Sequence, residues 1–157
     1  MSDFKFWSWD KKPRTMLRFI KPGDVFCFKL SDDKFGFGKI ISKVSIGHSA
    51  EIFNEFSYEP CIKNDSILNS SSVSFSVILD SYGLFDKKIS GEWRIIGHQD
   101  DMNEKKYEGI YFIYGAKGDL KKVDMLGNVS SIPDKDSEKY RPYMPSNDFH
   151  VKNMLSI

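Results

Sequence analysis

Gly23-Asp24-Val25-Phe26-Cys27-Phe28-Lys29-Leu30, then Ser31-Asp32-Asp33-Lys34, then Phe35-Gly36-Phe37-Gly38-Lys39-Ile40-Ile41, and after a short interval Ala50-Glu51-Ile52-Phe53-Asn54-Glu55-Phe56, form the stretch that decides the fold. Side chains of a strand alternate between its two faces, so Phe26, Phe28 and Leu30 share one face of the first run, and Val25, Cys27 and Lys29 share the other. Ser31 to Lys34 is a turn, because short polar side chains there bond their own backbone between two hydrophobic runs. In the second run Phe35, Phe37, Lys39 and Ile41 oppose Gly36, Gly38 and Ile40. Glycine weakens a strand interior, so two at alternate positions predict a bend, a bulge or a neighbouring layer lying on bare backbone. In the third run, Ala50, Ile52 and Phe56 oppose Glu51, Phe53 and Glu55.

The rest of the chain extends this sheet. Phe4 and Phe6 alternate with Lys5 as in an edge strand. Ser57 to Ser72, with its proline, Asn-Asp pair and serine run, predicts a long loop. Ser72 to Asp80 predicts a strand with Val73, Phe75, Val77 and Leu79 on one face. Gly91 to Gly97 predicts another, with Trp93 and Ile95 opposed to Arg94 and Ile96, followed by a polar loop over Gln99 to Glu108. Ile110 to Tyr114 and Leu120 to Leu126 predict a hairpin around Gly115 to Asp119, where two glycines supply positive φ. After three prolines, Ser146 is positioned to cap a short helix carrying Phe149, Val151, Met154 and Leu155. The fold class expected is mostly β: a twisted antiparallel sheet forming a small barrel or sandwich, with a short C-terminal helix.

Composition agrees. The chain has 157 residues, 13 Phe and 7 Tyr among them, and aromatic residues make up 15%; this length suits one domain, 1–157, and this composition suits half-buried pleated surfaces. Twenty-three basic against 22 acidic residues give a formal charge of +1, so overall charge draws the chain neither to nucleic acid nor away from it. Two separated cysteines make neither a metal motif nor a disulfide framework, and point to a reducing compartment. The N-terminus interrupts its apolar residues with Asp3, Lys5 and Asp10, unlike a signal peptide, and no apolar run is long enough to cross a bilayer, so a cytoplasmic location without membrane contact is expected.

The opening Gly23-Asp24-Val25-Phe26, the acidic turn, Phe35-Gly36-Phe37-Gly38-Lys39-Ile40-Ile41, the strand ending Glu51-Ile52-Phe53-Asn54-Glu55-Phe56-Ser57, and further on Ser90-Gly91-Glu92-Trp93-Arg94-Ile95-Ile96-Gly97 together resemble the immunity protein 26 family of bacterial polymorphic toxin and contact-dependent inhibition systems. The resemblance covers residues 22–97. It implies a mostly β protein that neutralises a cognate toxin C-terminal domain by binding it, with no catalysis and no cofactor. It assigns no binding residues.

Candidate chemistry is sparse. Gly36-Phe37-Gly38 starts a dinucleotide fingerprint, but position 41 is Ile41 and no helix pattern follows; no phosphate loop occurs. His98 with Asp100 and Asp101 has imidazole and carboxylates for a metal or acid–base site, set against a solvated loop. His48 beside Gly47 is read as loop polarity, and Cys27 among phenylalanines as a small buried hydrophobe. Two acidic clusters, Asp32-Asp33 and Asp100-Asp101-Glu104, would complement a basic nuclease surface, and Arg94 is a residue type enriched at binding hot spots. These six residues are the expected toxin-binding set, with solvated turns the plain alternative. An alternative function is nucleic-acid binding by the stretch Trp7 to Lys21, where Trp7, Trp9, Lys11, Lys12, Arg14, Arg18 and Lys21 interleave aromatics and cations. A third is an enzyme centred on His98.

Overall fold

The computed structural model describes residues 4–6, 9–10, 20–62, 73–85, 91–100 and 107–155. Strands β1 (Phe4–Phe6), β2 (Asp24–Ser31), β3 (Lys34–Val44), β4 (Gly47–Ser57), β5 (Val73–Leu79) and β6 (Trp93–Gln99) form a six-stranded antiparallel sheet in the order β1-β6-β2-β3-β4-β5. Strands β7 (Tyr111–Ala116), β8 (Asp119–Asp124), β9 (Val129–Ser131) and β10 (Arg141–Pro142) form a second sheet in the order β10-β7-β8-β9. Its β10–β7 pair is parallel. Helices are short: α1 (Ser81–Leu84), α2 (Asp148–Met154) and a 3-10 segment over Asp134–Lys139. The two layers meet where Ile41, Val44 and Ile78 pack with Phe112 and Met125. The architecture is a sandwich rather than a closed barrel, since β1 and β5 remain edges of the larger sheet.

The period-2 reading of the central hairpin holds at the level of packing. Phe26 and Phe28 join Ile40, Ala50, Ile52 and Trp93 in one cluster, while Val25 and Cys27 join Phe35, Phe37 and Phe53 in another across the sheet. The glycines in β3 explain how so many aromatics fit. A Cβ on Gly36 would come within 2.6 Å of the Phe28 ring, and one on Gly38 within 2.2 Å of the Phe26 ring. Bare backbone lets both rings lie flat on β3. Trp93 then stacks on Phe28, centroids 4.3 Å apart, and on Phe26 at 5.6 Å, with Phe85 edge-on to both Phe26 and Trp93. Aromatic pairs in these geometries contribute about 0.5–1.5 kcal/mol each beyond burial.

Three expectations need correction. Val73 packs with Val25 and Cys27 rather than with Phe75, Val77 and Leu79, because the register slips between Ile52 and Phe53 and Ser74 is passed over. His48 lies in β4, 4% exposed, not in a loop. Ser146 does not cap α2. Its N–H donates to the Ile78 carbonyl and its carbonyl accepts from the Asp80 N–H, so its backbone is extended along the β5 edge. Asn147 caps instead: its side chain accepts from the His150 N–H, and the Asn147 N–H donates to His150 Nδ1. On this helix Phe149 is 67% exposed, while Val151 is buried.

Candidate functional site

The expected site residues fall at separate places. Asp32 and Asp33 form the exposed β2–β3 turn. Asp100 directly follows β6, at the other end of the sheet, because Asp24 at the start of β2 pairs with His98. Eight residues of strand separate Asp24 from Asp32, roughly 26 Å. Asp101 and Glu104 lie outside the described residues, as do Trp7 and residues 11–19 of the basic N-terminal stretch. Arg94 is engaged within the chain: its guanidinium stacks 4.1 Å from the Trp9 ring centroid and donates to the carbonyls of Gly91 and Trp9. Asp10 sits 3.6 Å away, and the Arg94 side chain is 13% exposed. Trp9 in turn meets Phe35 edge-on at 5.3 Å. Arg94 and Phe35 therefore hold Trp9 on the sheet.

At the Asp100 end, both His98 ring nitrogens meet carboxylates, Nδ1 with Asp24 at 2.8 Å and Nε2 with Asp100 at 2.5 Å. Both ring nitrogens are thereby taken up by carboxylates of the chain itself, so neither is directed at a metal. The hydrogen bond from His98 holds the Asp100 carboxyl below the usual carboxylate range. Asp24 is fully buried and also accepts from the Lys21 N–H. Gly23 next to it has φ +94°, and a Cβ there would sit 2.5 Å from the Gln99 carbonyl and 2.8 Å from the His98 ring. The Gly-Asp-Val-Phe segment and the strand from Trp93 thus lock together through Gly23, Asp24 and His98. Among the described residues, no group of three or more His, Cys, Asp or Glu is arranged to hold a metal ion.

The Asp32-Asp33 end is larger than the turn alone. Phe35 pairs with Ser57 and Gly36 with Phe56, so the end of β4 lies beside the turn. Exposed Glu55 and Glu59 add to Asp32 and Asp33, and Tyr58 is 78% exposed. Phe56, 37% exposed, carries the Lys34 ammonium 4.9 Å above its ring. This end of the sheet therefore carries four exposed acidic residues and two exposed aromatic ones, the residue types of an interface centre and rim. Sequence reasoning missed Glu55, Phe56, Tyr58 and Glu59. The signal was the acidic–aromatic alternation Glu55-Phe56-Ser57-Tyr58-Glu59, legible only once the register beside the turn is known.

His48, Ser81 and Cys27 are interior. His48 Nδ1 and Ser81 Oγ lie 2.7 Å apart, but both residues are buried. Cys27 is fully buried, and burial pushes its thiol pKa up, the opposite of an activated nucleophile. Lys39 and Glu51 face each other across β3 and β4; Lys39 donates to Gln99 at 2.9 Å and Tyr107 to Glu51 at 3.4 Å. Burial, with Lys43 adding, lowers the His48 pKa from 6.5 to about 4. Since the folded value lies below the unfolded one, this stabilisation is complete above pH 6.5 and is lost as pH falls toward about 4. The urea midpoint is therefore expected to drop across that window, and to drop less in His48→Gln. Equal slopes in both proteins would show that another group governs the loss.

A family model described as Immunity protein 26 matches residues 21–124, well over half of the 157-residue chain. No curated protein and no solved structure matches it. The match ends with β8, so β9, β10 and α2 lie beyond it.

Proposed function

The chain belongs to the immunity protein 26 family, and from that premise we infer that it acts as a single cytoplasmic domain, 1–157, which neutralises one cognate toxin domain by binding it, without catalysis or cofactor. The toxin is the C-terminal domain of a polymorphic, contact-dependent inhibition protein, and it is a nuclease whose basic substrate surface the bound protein occludes. The observation that carries this reading is the acidic–aromatic end of the sheet. Asp32, Asp33, Glu55 and Glu59 present the charge that a phosphate-binding surface attracts, and Phe56 and Tyr58 supply anchors among them. Asp100, with Asp101 and Glu104, adds a second acidic contact, and Arg94 contributes by holding Trp9 against the sheet.

Two measurements test it. The purified protein is expected to form a stoichiometric complex with the toxin domain encoded beside it and to protect cells expressing that domain; a contact of this kind buries about 1,200–2,000 Å². Asp32→Lys with Asp33→Lys is expected to slow association at least tenfold and to flatten its salt dependence, because exposed charges act chiefly on the encounter. Absence of a complex would overturn the reading. An unchanged association rate in the double variant would move the contact away from the turn.

A further inference from the structure

We propose that the same toxin also inserts an apolar anchor side chain, flanked by a carboxylate, into a cleft at the β5 edge, away from the Asp32-Asp33 turn. This rests on the toxin-binding reading above. The cleft has a volume of about 340 Å³ and is walled by Val77 and Ile78 of β5, Phe112 of β7, Met144 and Met154, with Arg141 among them. That is near the lower end for ligand sites, about 300–1,000 Å³, and suits one or two inserted side chains. Val77 and Ile78 belong to clusters on opposite faces of β5, so the cleft opens at the strand's outer edge, where the two layers meet. That edge is not open to an added strand. The Arg141 guanidinium meets the Ser76 carbonyl, and the Ser146 N–H meets that of Ile78 at 2.7 Å. What remains is side-chain surface, with two methionines of the kind that adapt to varied partners.

Charge identifies the occupant. Among the described residues, no carboxylate lines the cleft. Arg141 has two donations within the chain, to Ser76 and to Met154 Sδ at 2.9 Å, out of five N–H groups. His150, which also lines the cleft, accepts the Asn147 N–H at Nδ1, so its proton sits on Nε2 and its remaining ring nitrogen is a donor. The carboxylate of α2, Asp148, is committed at both oxygens, one to Trp93 Nε1 at 2.8 Å and the other to Lys152 at 2.9 Å. The cleft therefore presents donors without a matching acid beside exposed apolar groups, Met144 at 62% and Phe149 at 67%. An acidic–apolar segment completes it. Most of these residues follow the family-matched region, which ends at 124.

The test uses the full chain, the toxin domain encoded beside it, and three surface variants. Met144→Glu and Asn153→Glu place a negative charge where the partner's carboxylate sits, and both positions are exposed. Each is expected to raise the dissociation rate at least tenfold with unchanged thermal unfolding. Val129→Glu, on the exposed β9 and not in the cleft, is expected to leave binding unchanged. The cleft and the acidic turn lie roughly 25 Å apart along β4, so effects of Met144→Glu and of the Asp32, Asp33 variants should add. A toxin that binds both cleft variants with wild-type kinetics overturns this proposal and leaves the toxin reading standing. A chain that binds no toxin overturns both. A free chain that is dimeric, and becomes monomeric with Met144→Glu, also overturns it, since a second copy would then occupy the cleft.

Discussion

Gly38→Ala is expected to lower stability by about 3 kcal/mol, the upper part of the range for overpacking a filled core, and Gly38→Val to abolish cooperative unfolding. A Cβ on Gly38 would lie 2.2 Å from Phe26 Cζ and 2.7 Å from the Glu51 carbonyl oxygen. The first contact involves a ring with no free direction, since Phe26 is fully buried and held by Phe28, Phe85 and Trp93. The second is backbone of the paired strand β4, which cannot yield without opening the ladder. Gly36→Ala provides the comparison. Its Cβ would meet the Phe28 ring at 2.6 Å, with no backbone atom among its nearest neighbours, so a smaller loss is expected. Urea denaturation of the two variants checks the order. A Gly38→Ala midpoint equal to wild type would mean that the Phe26 ring can move aside, and that the aromatic cluster is looser than its stacking geometry implies.

These glycines also show what the sequence makes legible. Alternation separates Phe26 and Phe28 from Val25 and Cys27, and glycine at alternate positions of β3 predicts a bend, a bulge or a layer on bare backbone; the structure has the register shift between Gly36 and Gly38, and the rings on that backbone are those of Phe26 and Phe28 in the paired strand β2. Contacts between distant segments leave no such trace. Asp24 and His98 are 74 residues apart in sequence, and neither position announces that their side chains meet in a buried hydrogen bond. His48 beside Gly47 reads as loop polarity, yet it is interior, and Ser81 at the start of α1 meets its ring. The cover on the β5 edge is hidden for the same reason: three prolines predict an irregular segment before Ser146, but only pairing with Leu79 tells where that segment lies. At the candidate site, the Asp32-Asp33 turn was legible from its residue types, whereas the addition of Phe56 and Tyr58 needed the β3–β4 register.

Trp93→Ala is expected to cost about 3–5 kcal/mol, the range for removing a buried aromatic side chain, and Trp93→Phe separates what that residue does for the core from what it does for the C-terminal helix. The indole, 3% exposed, stacks on Phe28 with an interplanar angle of 11°, so its ring is part of the six-stranded sheet's cluster. Its Nε1–H reaches out of that cluster to Asp148 in the first turn of α2. Phenylalanine keeps most of the stacking and loses the donor, leaving Asp148 with Lys152 alone. The core loss should then be small, while α2, seven residues long and held otherwise by buried Val151 with Met154 and Leu155 packed beside it, loses a polar tether. Hydrogen exchange is expected to quicken at Val151 and Leu155, whose N–H groups donate within that segment, and to stay slow in β2 and β3. Since α2 supplies His150 and Met154 to the cleft, Trp93→Phe should also shorten the toxin complex's lifetime without changing its association rate. Uniform acceleration of exchange across sheet and helix would show instead that Trp93 serves the core alone, and that the helix is positioned by its packing rather than by the indole.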